Sequence, residues 1–283
     1  MSVSATLMVA MLMATCGYAA EAQAEDPQTE EVQTEEVQAE ERLAEARLAE
    51  NALAAGDAVK TLTAIDPDCL AIETSFARYD LNRLAALTPA APRWRAQQAF
   101  RLAAAHLADD DRRAAGVVLK DSLPGLNKAL KQDPDNVELL LLAVMLDGQY
   151  VLVNRWRFLH NGLRGLRRMN RAAELDPANP RLALIEGTAK LLMPAVLGGS
   201  GSEAITTFEA ARRDTALCAD GEWAQVDILT WLGRAHQEAG EEALANAVFT
   251  AARALDPENH WLARELAGGG YEWQDAEHFQ APN

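Results

Sequence analysis

The stretch Leu229-Thr230-Trp231-Leu232-Gly233-Arg234-Ala235-His236, followed by Gly240 and then by Ala245-Asn246-Ala247-Val248-Phe249-Thr250-Ala251-Ala252 and Pro257, decides the fold. On both sides of Gly240 the apolar residues recur at steps of three and four, the period of an amphipathic helix. The stretch therefore reads as two helices joined by a turn at a glycine. Gly233 and Ala245 are small where two helices of such a hairpin must touch, and Leu232 and Phe249 are large enough to fill the space between them. Ala252 is small where a following hairpin would approach. Pro257 has no amide donor and ends the unit.

The same ending recurs. Ile65-Asp66-Pro67, Gln132-Asp133-Pro134, Leu175-Asp176-Pro177 and Leu255-Asp256-Pro257 each close an amphipathic helix, and Asn136, Asn179 and Asn259 follow as caps for the next one. A recurring stop-then-cap signal means stacked helical hairpins. In the preceding unit Gly187 takes the small position and Ala204-x-x-x-Phe208-x-x-Ala211 repeats the second-helix pattern. The pattern from Leu229 to Pro257 resembles the tetratricopeptide repeat, with Leu229 for the usual Trp and His236 for the usual Tyr. The resemblance implies an all-α fold, an α-solenoid of stacked antiparallel hairpins over residues 40–283, with its clearest repeats at 137–177, 180–216 and 226–259. Residues 93–109 and 119–132 read as a further hairpin with a degenerate pattern.

Composition agrees. Of 283 residues 56 are Ala and 38 Leu, while Val and Ile together number 19. Ala and Leu are the residues least penalised in helices, and β-branched residues favour sheets. The net charge of −16 opposes a general nucleic-acid binder, which needs a basic face. That charge is unevenly spread. Residues 21–50 hold eleven Asp or Glu against two Arg, and the pentad Thr-Glu-Glu-Val-Gln occurs twice, at 29–33 and 34–38. Segment 23–39 has too little apolar surface to fold alone and is expected to be an acidic low-complexity tether. Before it, the apolar run from Val3 to Thr15 and the small-residue sites after it fit a signal peptide over residues 1–22. A lipoprotein leader ending before Cys16 is the alternative. The expected location is the periplasm, with lipidation of Cys16 the only expected route to a membrane.

The search for chemistry returns structural readings. The histidines at 106, 160, 236, 260 and 278 lack metal-ligand spacing, and His236 occupies a packing position of the repeat. The run from Gly198 to Ser202 has neither the lysine nor the preceding strand of a phosphate loop, so it reads as a turn in which Ser200 and Glu203 cap the next helix. Asp109-Asp110-Asp111 lacks the alternating spacing of a calcium loop and reads as a solvated turn. No catalytic residue, metal or cofactor is expected. Cys69 and Cys218 lie several units apart in what should be an elongated stack, where each repeat touches only its neighbours, so they are not expected to pair.

Two surfaces stand out. Stacked tetratricopeptide hairpins curve, and by resemblance their first helices line a concave groove that takes a peptide or protein partner. The groove candidates are Arg181, Leu184, Thr188, Leu191 and Leu192 in one unit and Asp227, Thr230, Arg234, Gln237 and Glu238 in the next. The other surface is basic. Arg157, Arg164, Arg168 and Arg171 share one face of a predicted helix that carries no acid from Trp156 to Ala173. It is either a solvated outer face or a docking stripe for an acidic partner or anionic headgroups, and the chain's own segment 21–50 is one such acidic partner.

Asn179-Pro180-Arg181, Pro194-x-x-x-Gly198-Gly199 and Trp223 further resemble exported bacterial tetratricopeptide proteins. The Gly198-Gly199 turn before the Ala204-x-x-x-Phe208 helix is also similar to the tetratricopeptide component associated with TRAP-type transporters. The first resemblance implies a non-enzymatic interaction scaffold of the cell envelope. The second implies an accessory subunit of periplasmic solute transport, with Met193, Pro194, Val196 and Leu197 in a docking loop.

Overall fold

The computed structural model describes residues 66–193, 198–212, 222–264 and 266. Among them are eleven α-helices and no strand, packed as the antiparallel hairpins of a tetratricopeptide-like α-solenoid. A short pair comes first, α1 (Pro67–Ala77) and α2 (Leu81–Ala86). Four longer hairpins follow. They are α3 (Pro92–Ala108) with α4 (Arg112–Gln132), α5 (Val137–Val153) with α6 (Leu163–Leu175), α7 (Pro180–Leu192) with α8 (Gly201–Arg212), and α9 (Glu222–Glu238) with α10 (Glu242–Leu255). The five-residue α11 (His260–Arg264) is the last. The leader, the tether, the part of the repeat domain before residue 66, and Cys16 and Cys218 lie outside the described residues. Cys69 is buried on α1.

The asparagine caps are those the sequence predicts. Asn136, Asn179 and Asn259 accept from the amides of Leu139, Arg181 and Leu262 at 3.1, 3.0 and 2.8 Å. Each satisfies a helix-start donor that has no partner within the helix. Only the Ser200 half of the expected cap at α8 forms: Ser200 Oγ accepts from Glu203 N at 3.3 Å, while Ser200 N donates to the Lys190 carbonyl and the Glu203 carboxylate pairs with Lys190 Nζ at 3.2 Å. Asp111 caps α4, and Asp109–Asp111 is the turn before it.

Within the hairpins the small-against-large logic is physical. A Cβ added at Gly187 would stand less than 3.0 Å from the buried Phe208 ring, and one at Gly233 equally close to Phe249. Ala204, Ala211, Ala245 and Ala252 are buried contacts, and Leu232 is wholly enclosed. Pro257 follows α10, whose cap is Asp256. The surplus length in the 137–177 unit forms a 3-10 turn at Arg155–Arg157 and a π turn at Phe158–Gly162, which precede α6.

The stack is not elongated, and repeats far apart in the chain touch. The arc closes on itself because α11 lands on α1. Trp261 lies with its ring centroid 4.6 Å from Phe76 and 6.2 Å from Tyr79. Arg78 Nη1 donates to Asp256 Oδ1 and to the Glu258 carbonyl, both at 2.9 Å. Arg264 pairs with Asp109 at 2.8 Å and donates to the Ala108 carbonyl at 2.6 Å. Buried aromatic area and charge-assisted hydrogen bonds hold this seam. Nearest-neighbour reasoning for solenoids has no term for such a contact.

Candidate functional site

The first helices of the hairpins send polar side chains into one shared interior. Gln97 and Arg101 stand one turn apart on α3, hence on one face. Glu73 comes from α1, Glu138 from α5, Arg181 from α7 and Asp227 from α9. Arg101 Nη2 lies 2.7 Å from Glu73 Oε2 and 2.6 Å from Asp227 Oδ2, and its Nε donates to Glu73 Oε2 at 2.9 Å. Gln97 Nε2 donates to Glu73 Oε1 at 2.6 Å and its Oε1 accepts from Arg181 Nη1 at 3.0 Å. Arg181 Nε in turn donates to Glu138 Oε2 at 3.0 Å. The chain of contacts runs from α9 through α3 and α1 to α7 and α5.

The electrostatics follow from burial. Glu73 and Arg101 are almost wholly enclosed. Burial pushes the Glu73 carboxyl above its ordinary value, and the Arg101 charge does not offset this. Burial lowers the Arg101 guanidinium, but Asp227 and Glu73 together outweigh it and hold the group above its ordinary value. Arg101 also stacks 4.5 Å over the Phe76 ring. A buried carboxylate with a shifted pKa can mark an acid-base site. Here both Glu73 oxygens are taken by Arg101 and Gln97, which is the geometry of an ion-pair network that holds helices together.

This network occupies part of the groove expected from the sequence. Arg181 and Asp227 are members of it, so they do not stand open to a ligand. Leu184 and Thr230 are buried, and the Thr230 hydroxyl donates to the Val226 carbonyl at 2.7 Å. The remaining candidates lie in the last turns of α7 and α9. Thr188, Leu191 and Leu192 are half-buried, Arg234 is half-buried with its guanidinium 5.3 Å over the Trp231 ring, and Gln237 and Glu238 are exposed. These two first helices run parallel, so their final turns share one rim of the arc. Met193 follows on that rim, partly exposed, while Pro194, Val196 and Leu197 lie outside the described residues. Glu73, Gln97, Arg101 and Glu138 were not singled out by the sequence. The available signal was a glutamate among the apolar residues of α1 and a Gln-Arg pair on an alanine-rich helix.

The basic stripe divides in two. Arg164 and Arg168 turn inward onto Asp147 of α5, which is wholly enclosed and also accepts from Asn161 Nδ2 at 3.1 Å. Burial lowers the Arg168 guanidinium below its ordinary value, against the pull of Asp147, with the Arg164 charge adding to the lowering. Arg171 pairs with Asp135 at 2.8 Å and Glu174 at 3.0 Å. Arg157 stays exposed, its guanidinium 4.8 Å over Tyr150. His236 is buried, with Nδ1 2.6 Å from Glu241 Oε2. Among the described residues no group of three His, Cys, Asp or Glu is arranged to hold a metal ion, and no helix is long and apolar enough to cross a membrane.

No family model matches the chain, and no curated protein matches it. Solved structures do. The HusA haemophore from Porphyromonas gingivalis is similar at 23% identity and a TM-score of 0.44, over 59% of this chain and 86% of that one. MamA MSR-1 C2 is similar at 18% identity and a TM-score of 0.29, over 67% of this chain and 92% of that one.

Proposed function

We propose that this chain is a non-enzymatic protein-protein interaction scaffold of the bacterial cell envelope that holds a peptide or protein partner on one rim of its closed arc. The observation that carries the reading is the division of the first-helix faces. Their inner ends are committed to the ion-pair network. Their last turns in α7 and α9 offer Thr188, Leu191, Leu192, Arg234, Gln237 and Glu238, a mixture of apolar and hydrogen-bonding groups beside the half-buried Trp231. Such a mixture suits a peptide, which presents both side chains and backbone polar groups. The envelope location rests on the apolar run from Val3 to Thr15 and the small-residue sites that follow it.

Affinity capture from envelope fractions, with wild type beside Arg234→Glu and Leu192→Asp, tests this reading. A specific partner should be retained about tenfold less by each variant, the effect of removing one central contact, while circular dichroism stays unchanged. Equal retention by all three removes the rim from the proposal. Mass spectrometry of the mature N-terminus checks the leader in the same preparation.

A further inference from the structure

The second surface is the outside of the segment that runs from the 3-10 turn into α6. Trp156 is 79% exposed there, and Leu163 and Leu166 are 50% and 45% exposed. Arg157, His160 and Arg167 are exposed beside them. Large apolar side chains this open, where they group together, mark an interaction site. The charge balance makes the face more specific. Six arginines stand between residues 155 and 171. Among the described side chains, the carboxylates that reach them are Asp147, Asp135 and Glu174. Arg157 and Arg167 are exposed and add positive charge to this segment.

We propose that the occupant of this face is the chain's own acidic segment 28–38. Its two Thr-Glu-Glu-Val-Gln pentads place Glu30, Glu31, Glu35 and Glu36 beside Val32 and Val37, with no basic residue among them. The charges complement the exposed arginines, and the valines complement Trp156, Leu163 and Leu166. The segment is joined to Asp66 by the 27 residues 39–65. Even as continuous helix, at ~1.5 Å per residue, these span about 40 Å, comparable with the breadth of a domain of this size. Being tethered gives it a local concentration of order millimolar, so a weak contact is enough to hold it. The contact shields Trp156 and keeps other acidic ligands off the arginines. It uses neither the α7 and α9 rim nor the ion-pair network.

Acrylamide quenching of the full chain, read as the difference between wild type and Trp156→Phe, isolates Trp156 among the chain's six tryptophans. Replacing Glu30, Glu31, Glu35 and Glu36 together by Gln should raise that difference about threefold, as should Arg167→Glu or about 0.5 M salt, which shortens the screening length. Identical Trp156 quenching in wild type and the four-Gln variant overturns the proposal. Vesicles containing about one third phosphatidylglycerol separate the other source of negative charge. Wild type should bind them more weakly than the four-Gln variant, because the segment competes for the face. Equal binding by both, abolished by Arg167→Glu, would assign the face to lipid headgroups and overturn the proposal.

Discussion

Trp261 and Leu262 are consecutive residues that belong to different hydrophobic cores. Trp261 packs with Cys69, Ile72, Phe76 and Leu84 at the start of the described chain, and Leu262 packs with Ile228, Leu232 and Val248 of the last full hairpin. One short helix therefore joins the two ends of the arc, and its two neighbouring side chains, about 100° apart around its axis, serve one end each.

That arrangement sets the cost of opening the seam. Trp261→Ala should destabilise the protein by about 3–5 kcal/mol, the range for truncating an enclosed aromatic. Arg78→Ala should cost only about 1 kcal/mol, because its bridge to Asp256 is partly exposed and screened. Urea unfolding measures both. Small-angle scattering should show a larger radius of gyration for Trp261→Ala, and an unchanged radius with an unchanged midpoint would mean that the seam does not hold the arc closed.

The buried network should respond unequally to losing its cation or one of its anions. Arg101→Met leaves Glu73 and Asp227 facing each other without a counter-charge and should cost about 3–5 kcal/mol at neutral pH. Glu73→Gln keeps the Arg101–Asp227 pair and should cost about 1–3 kcal/mol. The pH dependence has a definite sign. A carboxyl whose folded-state pKa is raised stabilises the fold below its unfolded value, near 4.5 for Glu73, and loses that contribution as pH rises through the folded value. Without Arg101 the rise is larger, so the deficit of Arg101→Met should shrink as pH falls from 7 towards 5. A deficit that grows on acidification would contradict the assignment.

Two glycines should give opposite results. Gly233→Ala drives a methyl into the buried Phe249 ring and should destabilise by about 1–2 kcal/mol, overpacking offset in part by helix propensity. Gly125→Ala, exposed within α4 with nothing near the new methyl, should stabilise by about 0.5–1 kcal/mol. Thermal melts of the two variants beside wild type decide it.

What could be read from the sequence was whatever repeats locally. The stops at Asp-Pro, the asparagine caps and the Gly187–Phe208 and Gly233–Phe249 contacts lie within one repeat unit, and periodicity exposes them. The closure could not be read, because Arg78 and Asp256 are 178 residues apart and the Asp-Pro stop that contains Asp256 carries no sign of a partner so distant. The shared face of Arg164 and Arg168 was legible as helical spacing, but its direction was not, since it depends on Asp147 of another helix. The clue was Asp147 itself, a carboxylate ending the apolar run of α5 from Leu139 to Leu146, which cannot be enclosed without cations. The same logic applies to Glu73 in α1. In the groove, resemblance located the first helices correctly but had no means of showing that Arg181 and Asp227 were already occupied.

The closed arc also bears on how this chain can change over evolutionary time. An open solenoid gains or loses a hairpin with little disturbance, since only one stacking surface is exchanged for a similar one. Here an inserted hairpin would carry α11 a full repeat away from α1, stranding Trp261, Arg78 and the Arg101–Asp227 pair at once. Between α1 and α11 the hairpin number is fixed by the seam, and variation in length there is confined to connections such as the turn between α7 and α8.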